Sequence, residues 1–577
     1  MHYKFYVKNP AAHYLYIDLT ISNNTKEELQ LQLPAWRPGR YELGNFAKNI
    51  KKFDAFNEKG DLLEWTKLNK DLWVIKANGA STVKVSYSYF ASELNAGSTF
   101  VDESQVYCNP VNCCMYVPDR MEEGHEIELV IPDSYSIASS LPKVNNTMLA
   151  KSFHELADSP FIASAEIQTI DLDIDDKKFY LHFNGECNPD TKKLEKDFVP
   201  FIKECIEFYK GIHVNEYHFL FQILPFKFYH GVEHTSNTVI ALGPGYNLHE
   251  GKTYEDLLGV SCHELFHTWN VKSIRPAEMF PYDYTKENYV RTGYIYEGVT
   301  TYYGDKLLYT SGVFNEKQYF ETLEERLNKH FHNYGRFNLS LTESSWENWL
   351  DGYVPGAPYR KVSIYDEGNL VAFMLDVLIM EATGNVKSLR DVMLVLYNDF
   401  YKNNKGYTEQ DILGIVHNVS GKDFDSFFKK YVYGLDEYEE QLNYCLNYLG
   451  LKLEKHASHA FYERYLGFKA IEQGLHKKVS MMAPYSAAWK AGIGINDEIM
   501  AVNGFQLKND LSQWLSYFYA KGQDLKLSVL SNHVMKELHF TVDLKKEYFP
   551  HCKIVHVDNA SEIAKTNYTK WAISLNK

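Results

Sequence analysis

The sequence predicts a multidomain α+β protein, and three observations predict it. Its 577 residues exceed what one core holds; at roughly 150 residues per domain they suggest about three or four domains. The first 170 or so residues read as short strands, whereas residues 252–450 read as a succession of helices. A strand rhythm then returns near residue 464 and runs to about 545. The expected organisation is a β domain over 1–170, a mainly helical domain over 171–455, a small β-rich module over 456–546 and a tail over 547–577.

Each part has its own signature. The opening "MHYKFYVKNPAAHYLYIDLTISN" alternates apolar and polar residues, as a strand with one buried face does, and lacks the apolar core and small-residue cleavage site of an export signal. Runs such as "DLWVIKA", "TVKVSYSYF" and "HEIELVIP", separated by Gly, Asn, Asp and Pro, continue the pattern and predict an antiparallel β domain. The stretch "TKKLEKDFVPFIKECIEFYKG" carries apolar residues at helical spacing between the strands "KFYLHFNG" and "EYHFLFQILP". Helices then dominate, among them "YEDLLGVSCHELFHTWNV", "YIYEGVTTYYGDKLLYTSG", "EKQYFETLEERLNKHFHNYG", "EGNLVAFMLDVLIMEATG" and "TEQDILGIVHNVSG", several closed by a C-terminal glycine.

Composition narrows the function classes. Net charge is −15 with pI near 5.8, and no long basic block is present, so neither nucleic acid nor an anionic membrane is expected as a partner. The most apolar run, Asn369 to Ala382, is broken by Asp376 and is shorter than the roughly 20 residues that span a bilayer. A cytoplasmic location is the default, periplasmic or secreted if a leader has been removed. The cysteines are scattered and the Cys-x-x-Cys spacing of a metal knuckle is missing, which argues against a cysteine-built zinc site.

The chemistry concentrates in "SCHELFHTWN", residues 261–270. On a helix His263 and His267 fall on one face, one turn apart, and can direct two imidazoles at one point. Glu264, about 100° around the helix, can reach a water at that point and act as general base. The alternative is a core helix in which Leu257, Leu258, Val260, Leu265 and Phe266 pack and the histidines only hydrogen-bond. A third ligand decides between these, because a catalytic zinc takes three protein ligands and keeps one position open. Glu297, 30 residues after His267 on the next helical stretch, is the best candidate.

The segment "HELFHTWNVKSIRPAEMFPYDYTKENYVRTGYIYEGVTTYYGDKLLYTSG" closely resembles the zinc-binding core of the glycyl aminopeptidase family, PDZ-bearing zinc metallopeptidases related to thermolysin-like aminopeptidases. The match includes the pair Trp269–Asn270 and the step Glu297–Gly298. The resemblance implies a thermolysin-like catalytic domain, a C-terminal PDZ domain, and one Zn2+ per chain held by His263, His267 and Glu297. It implies an aminopeptidase that prefers small first residues, glycine or alanine. Tyr296 and Val299 stand where the family usually has a small polar residue and phenylalanine, a difference that touches packing and not the ligands.

Two further residues follow from what an exopeptidase needs. A fixed negative charge must hold the substrate's α-ammonium. In "YHGVEHTSNT" Gly231 and Glu233 resemble the glycine-x-glutamate segment that binds the free amine in related enzymes, with His230 where the family often has a second glycine. A donor besides the metal must meet the developing oxyanion. By resemblance this is Tyr365, in a segment where Glu367 replaces the family's lysine. In the last module "RYLGFKAI" and "VSMMAPYSAAWKAGIGINDEIMAVNG" resemble a PDZ domain, whose carboxylate-binding loop would be Leu466, Gly467 and Phe468. The expected partners are peptides with a free N-terminus and, if the PDZ module binds at all and does not merely pack, a peptide C-terminus. A zinc endopeptidase without an effective amine anchor, and a catalytically silent PDZ scaffold, are the competing readings.

Overall fold

The computed structural model describes residues 1–354, 356–473 and 476–575. The N-terminal part is β-rich. In Tyr14–Ile21 every second side chain points inward, so Leu15, Ile17, Leu19 and Ile21 are fully buried while their neighbours face solvent. This strand pairs antiparallel with His2–Tyr6 and Val83–Phe90 in a seven-stranded sheet. The sheet is not wholly antiparallel: His2–Tyr6 also runs parallel to His125–Val130. A four-stranded and a three-stranded sheet complete this part.

The hand-over falls slightly before residue 170. Phe161–Ser164 still belongs to the N-terminal sheets, whereas Gln168–Ile174 pairs with Lys177–Asn184 in the next one. That sheet has five strands, in the order Gln168–Ile174, Lys177–Asn184, Glu216–Ile223, Asn237–Gly243, Phe228–Glu233. The central three are mutually parallel. Asn237–Gly243 is buried at every position, as expected of an inner strand covered on both faces. The outer strand Phe228–Glu233 runs beside the helix Gly251–Phe266.

Helices build the rest of this domain: Thr191–Tyr209, Gly251–Phe266, Thr300–Thr310, Glu316–His332, Asp366–Ala382 and Glu409–Ser420 are the principal ones. The apolar run noted above is the core of Asp366–Ala382. Asp376 within it is fully buried and accepts from the Tyr302 hydroxyl at 2.6 Å, the Lys306 ammonium at 2.7 Å and the Leu389 amide at 3.0 Å. No described helix is long and apolar enough to cross a membrane.

The third module has a sheet with Phe468–Gln473 outermost on one side and Val534–Phe540 on the other, and two helices, Ala487–Ala491 and Leu511–Ala520. Its core, which includes Leu466, Phe468, Val479, Ile499, Leu515 and Val529, is separate from the main one. Of residues 547–577, expected as a tail, 547–575 are instead built into the body of the molecule, and 576–577 lie outside the described residues. His551–His556 pairs with Leu451–His456, and the helix Glu562–Trp571 packs on the helical domain, its Trp571 indole donating to the Tyr302 hydroxyl at 3.0 Å. The small module is thus an insertion between two paired strands, with chain crossing to it at both ends.

Candidate active site

His263 and His267 lie at the C-terminal end of the helix Gly251–Phe266, and their Nε2 atoms approach to 3.0 Å. The Nδ1 of His267 donates to the Asn270 carbonyl at 2.6 Å, which leaves Nε2 as the lone-pair nitrogen facing the site. The Asn270 side chain in turn donates to the Ile295 carbonyl at 2.9 Å and to the Thr300 hydroxyl at 3.0 Å, tying the histidine helix to the segment that carries Glu297. The Trp269 indole donates to the Gly211 carbonyl at 3.1 Å and stacks on Tyr209. The pair Trp269–Asn270 therefore fixes the turn leaving the metal helix.

Glu297 does not sit on a regular α-helix. It occupies a π-helical turn, Tyr294–Val299, that leads into Thr300–Thr310. Its Oε2 lies 3.4 Å from His267 Nε2 and 3.7 Å from His263 Nε2, and has no hydrogen-bond partner. The ligand atoms of His263, His267 and Glu297 all lie within 4.8 Å of one another. Two imidazoles and a buried carboxylate oxygen without a donor form a set that fits a divalent cation with nitrogen and oxygen ligands.

The electrostatics agree with that fit. Burial lowers the His263 imidazole to about 4, so it is neutral and offers a lone pair. At His267 burial also favours the neutral ring, but the Glu297 carboxylate outweighs it and raises the group to about 9. The pocket thus favours a positive charge beside Glu297, either a proton on His267 Nε2 or a cation that displaces that proton and takes the lone pair. Burial pushes the Glu264 carboxyl up, helped by the carboxylates of Glu233 and Glu297 and opposed by His267.

Glu264 is buried, and its Oε2 has no partner. Its Oε1 lies against the outer strand at Gly231, where a Cβ would come within 2.1 Å of it. Gly231 therefore leaves room for Glu264. Glu233 is the last residue of that strand and is 7% exposed. Carboxylate oxygens of Glu233 and Glu264 and a ring nitrogen of His267 lie within 4.8 Å of one another. Tyr365 precedes the helix Asp366–Ala382, its ring centroid 6.4 Å from that of His263. All these residues line one cleft of about 600 Å³, together with Gly39 and Tyr353.

Sequence reasoning missed the contribution of the segment between Gln32 and Phe46. The Tyr41 hydroxyl donates to Glu297 Oε1 at 2.8 Å, and Gly39, at φ +77°, lies so near Glu233 that a Cβ would come within 2.6 Å of its Oε2. The length of this irregular stretch is the one signal that could have flagged it. The residues expected to form a carboxylate loop are not among those lining the cleft: Leu466 ends a π-helical turn, Gly467 adopts φ +76°, and Phe468 begins the outermost strand of its sheet.

Residues 2–165 match the Peptidase M61 N-terminal domain, and residues 256–371 match the M61 glycyl aminopeptidase. These two stretches carry the domains of M61 peptidases, and the chain is accordingly a metallopeptidase. A crystal structure of an aminopeptidase N family protein from Idiomarina loihiensis has the same fold, with a TM-score of 0.90 at 23% identity over 99% of both chains. An M1 zinc metallopeptidase from Deinococcus radiodurans bound to a Tyr-ser-ala substrate aligns with a TM-score of 0.48 at 13% identity, over 76% of this chain and 94% of that one. No curated protein matches the chain in sequence.

Proposed function

We propose that this metallopeptidase is a zinc-dependent aminopeptidase that removes one small residue, glycine or alanine, from the free N-terminus of a peptide. His263, His267 and Glu297 would hold one Zn2+. Bound there, the ion supplies a Lewis acid for the scissile carbonyl and lowers the pKa of water toward about 7. Glu264 takes the proton released by the attacking water and hands it to the leaving amine. Tyr365 donates to the oxygen on which negative charge develops. Glu233 holds the substrate ammonium.

The observation that carries this reading is the closeness of Glu233 to the catalytic groups: its carboxylate is within 4.8 Å of both Glu264 and His267. An ammonium held at Glu233 puts the first carbonyl beside Glu264 and leaves no length for a residue upstream of it. Small side chains are favoured in this reading because the backbone at Gly39 and Gly231 closes on the two carboxylates. A panel of aminoacyl chromophores, run with chelator and with zinc restored, tests reaction type and side-chain preference together. The Glu233→Gln variant separates exo- from endopeptidase: it should lose most activity on free-amine substrates and little on N-blocked peptides. An equal loss on both would refute the amine anchor.

The inserted module is, in the same proposal, a PDZ domain. The outermost position of Phe468–Gln473 leaves a strand edge for an extended peptide C-terminus, with Leu466, Gly467 and Phe468 at its carboxylate end. Contacts to the body of the protein favour packing as its other role, since the Met482 amide donates to the Tyr359 hydroxyl at 2.9 Å and Lys469 donates to His332 at 2.9 Å.

A further inference from the structure

The N-terminal domain reaches the candidate metal centre through one segment, and its anchoring is dense. The Ala35 and Trp36 amides donate to the Tyr284 carbonyl at 2.8 and 3.1 Å, and the Trp36 indole donates to the Arg40 carbonyl at 2.6 Å. The Tyr353 hydroxyl donates to the Gly39 carbonyl at 3.1 Å. Held in this way, Tyr41 is 5% exposed, and its ring packs beside Tyr296, Trp349 and Tyr353. Tyr296, the family departure noted above, thus forms part of the wall that receives Tyr41.

The hydroxyl at the end of this ring donates to Glu297 Oε1. The other carboxylate oxygen, Oε2, is the one that faces both imidazoles and has no donor. A carboxylate on a π-helical turn can rotate about its last torsion, which is broad for this side chain. The tyrosine occupies one oxygen and so fixes which of the two is presented.

We propose that Tyr41 is a positioning residue for the third metal ligand, and that metal binding in the catalytic domain is thereby linked to docking of the N-terminal domain. The proposal rests on the zinc reading of the site given above. It assigns the N-terminal domain a part in building the metal centre, 256 residues away along the chain. Linkage makes the effect reciprocal: zinc stabilises the docked arrangement by as much as docking strengthens zinc.

The test is zinc affinity of the full-length protein, measured by competition with a chromophoric chelator. Tyr41→Phe keeps the ring and removes only the donor. It should weaken zinc binding by 10- to 100-fold, the range typical of a lost partner to a ligand, while the metal-free melting temperature and circular dichroism stay near wild type. The zinc-induced rise in melting temperature should shrink in parallel. Tyr87→Phe removes a buried hydroxyl bond of the N-terminal domain, to the Cys113 carbonyl at 2.8 Å, at a residue outside the cleft lining, and should leave zinc affinity within threefold of wild type. Unchanged affinity in Tyr41→Phe, or an equal loss in Tyr87→Phe, overturns the proposal. Failure of the wild-type protein to bind stoichiometric zinc would instead remove the functional reading itself, and this proposal with it.

Discussion

Glu264 shows how much of the site is set by single side chains. Its carboxylate fits against the outer strand only because residue 231 is glycine, and it lies among Glu233, Glu297 and His267 with one oxygen left without a partner. Replacing it with glutamine keeps the shape and removes the proposed proton acceptor. Glu264→Gln should therefore lower kcat by about 10²- to 10⁴-fold while the protein still retains its metal, as steady-state kinetics and metal analysis would show. A variant that lost metal and activity together would make Glu264 a ligand instead of a base. At this scale the sequence was partly informative: helical spacing puts His263 and His267 on one face with Glu264 beside them, whereas Asn270 entered only through the resemblance. Tyr41 was not legible, because its partner lies 256 residues away and nothing local marks a tyrosine that touches a ligand.

Elements position these side chains through close backbone contact. Gly298, next to Glu297, faces Gly368 where the π-helical turn crosses the helix Asp366–Ala382; a Cβ on Gly298 would lie 2.4 Å from the Gly368 Cα. The obstacle is backbone, so the helices must part to admit a methyl group. Gly298→Ala should destabilise the protein by about 1–3 kcal/mol, the cost of overpacking a tight contact, as read from chemical denaturation. A change under about 0.5 kcal/mol would mean that the crossing yields freely. Helix periodicity predicted the elements that meet here, but not the π-turn, since one extra residue in a turn leaves the apolar spacing on either side intact. The end of the outer strand was likewise missed. "YHGVEH" shows no strict alternation, and what holds it in the sheet is pairing with Asn237–Gly243, a tertiary fact.

The whole molecule carries two consequences of how its parts are joined. His182 and His218, on neighbouring parallel strands, stack with centroids 5.3 Å apart and share a 3.0 Å contact between ring nitrogens. Burial lowers them to about 4 and about 3, below the ordinary 6.5 of the unfolded chain. The unfolded chain takes up protons first, so the stability these neutral rings contribute is complete above about pH 6.5 and drains away as pH falls toward their folded values. Denaturation midpoints at pH 7, 6, 5 and 4 should fall steadily in wild type and less steeply in His218→Gln; identical slopes would remove these rings from the account. The second consequence concerns the inserted module, whose strand rhythm was plain in sequence although its insertion was not, because only the pairing of Leu451–His456 with His551–His556 reveals it. That ladder ends at His456 opposite His551, so the two chain crossings leave from adjacent points. Excising residues 457–550 and joining His456 to His551 through Asn-Gly should close the ladder as a hairpin, since a two-residue turn of that type matches the strand twist. The module also has its own core, apart from the one that surrounds the active site. The excised protein should then fold cooperatively and bind zinc as wild type does, with a lower melting temperature from the lost contacts at Tyr359 and His332. Aggregation, or a tenfold loss of zinc affinity, would show instead that the module supports the catalytic domain through those contacts.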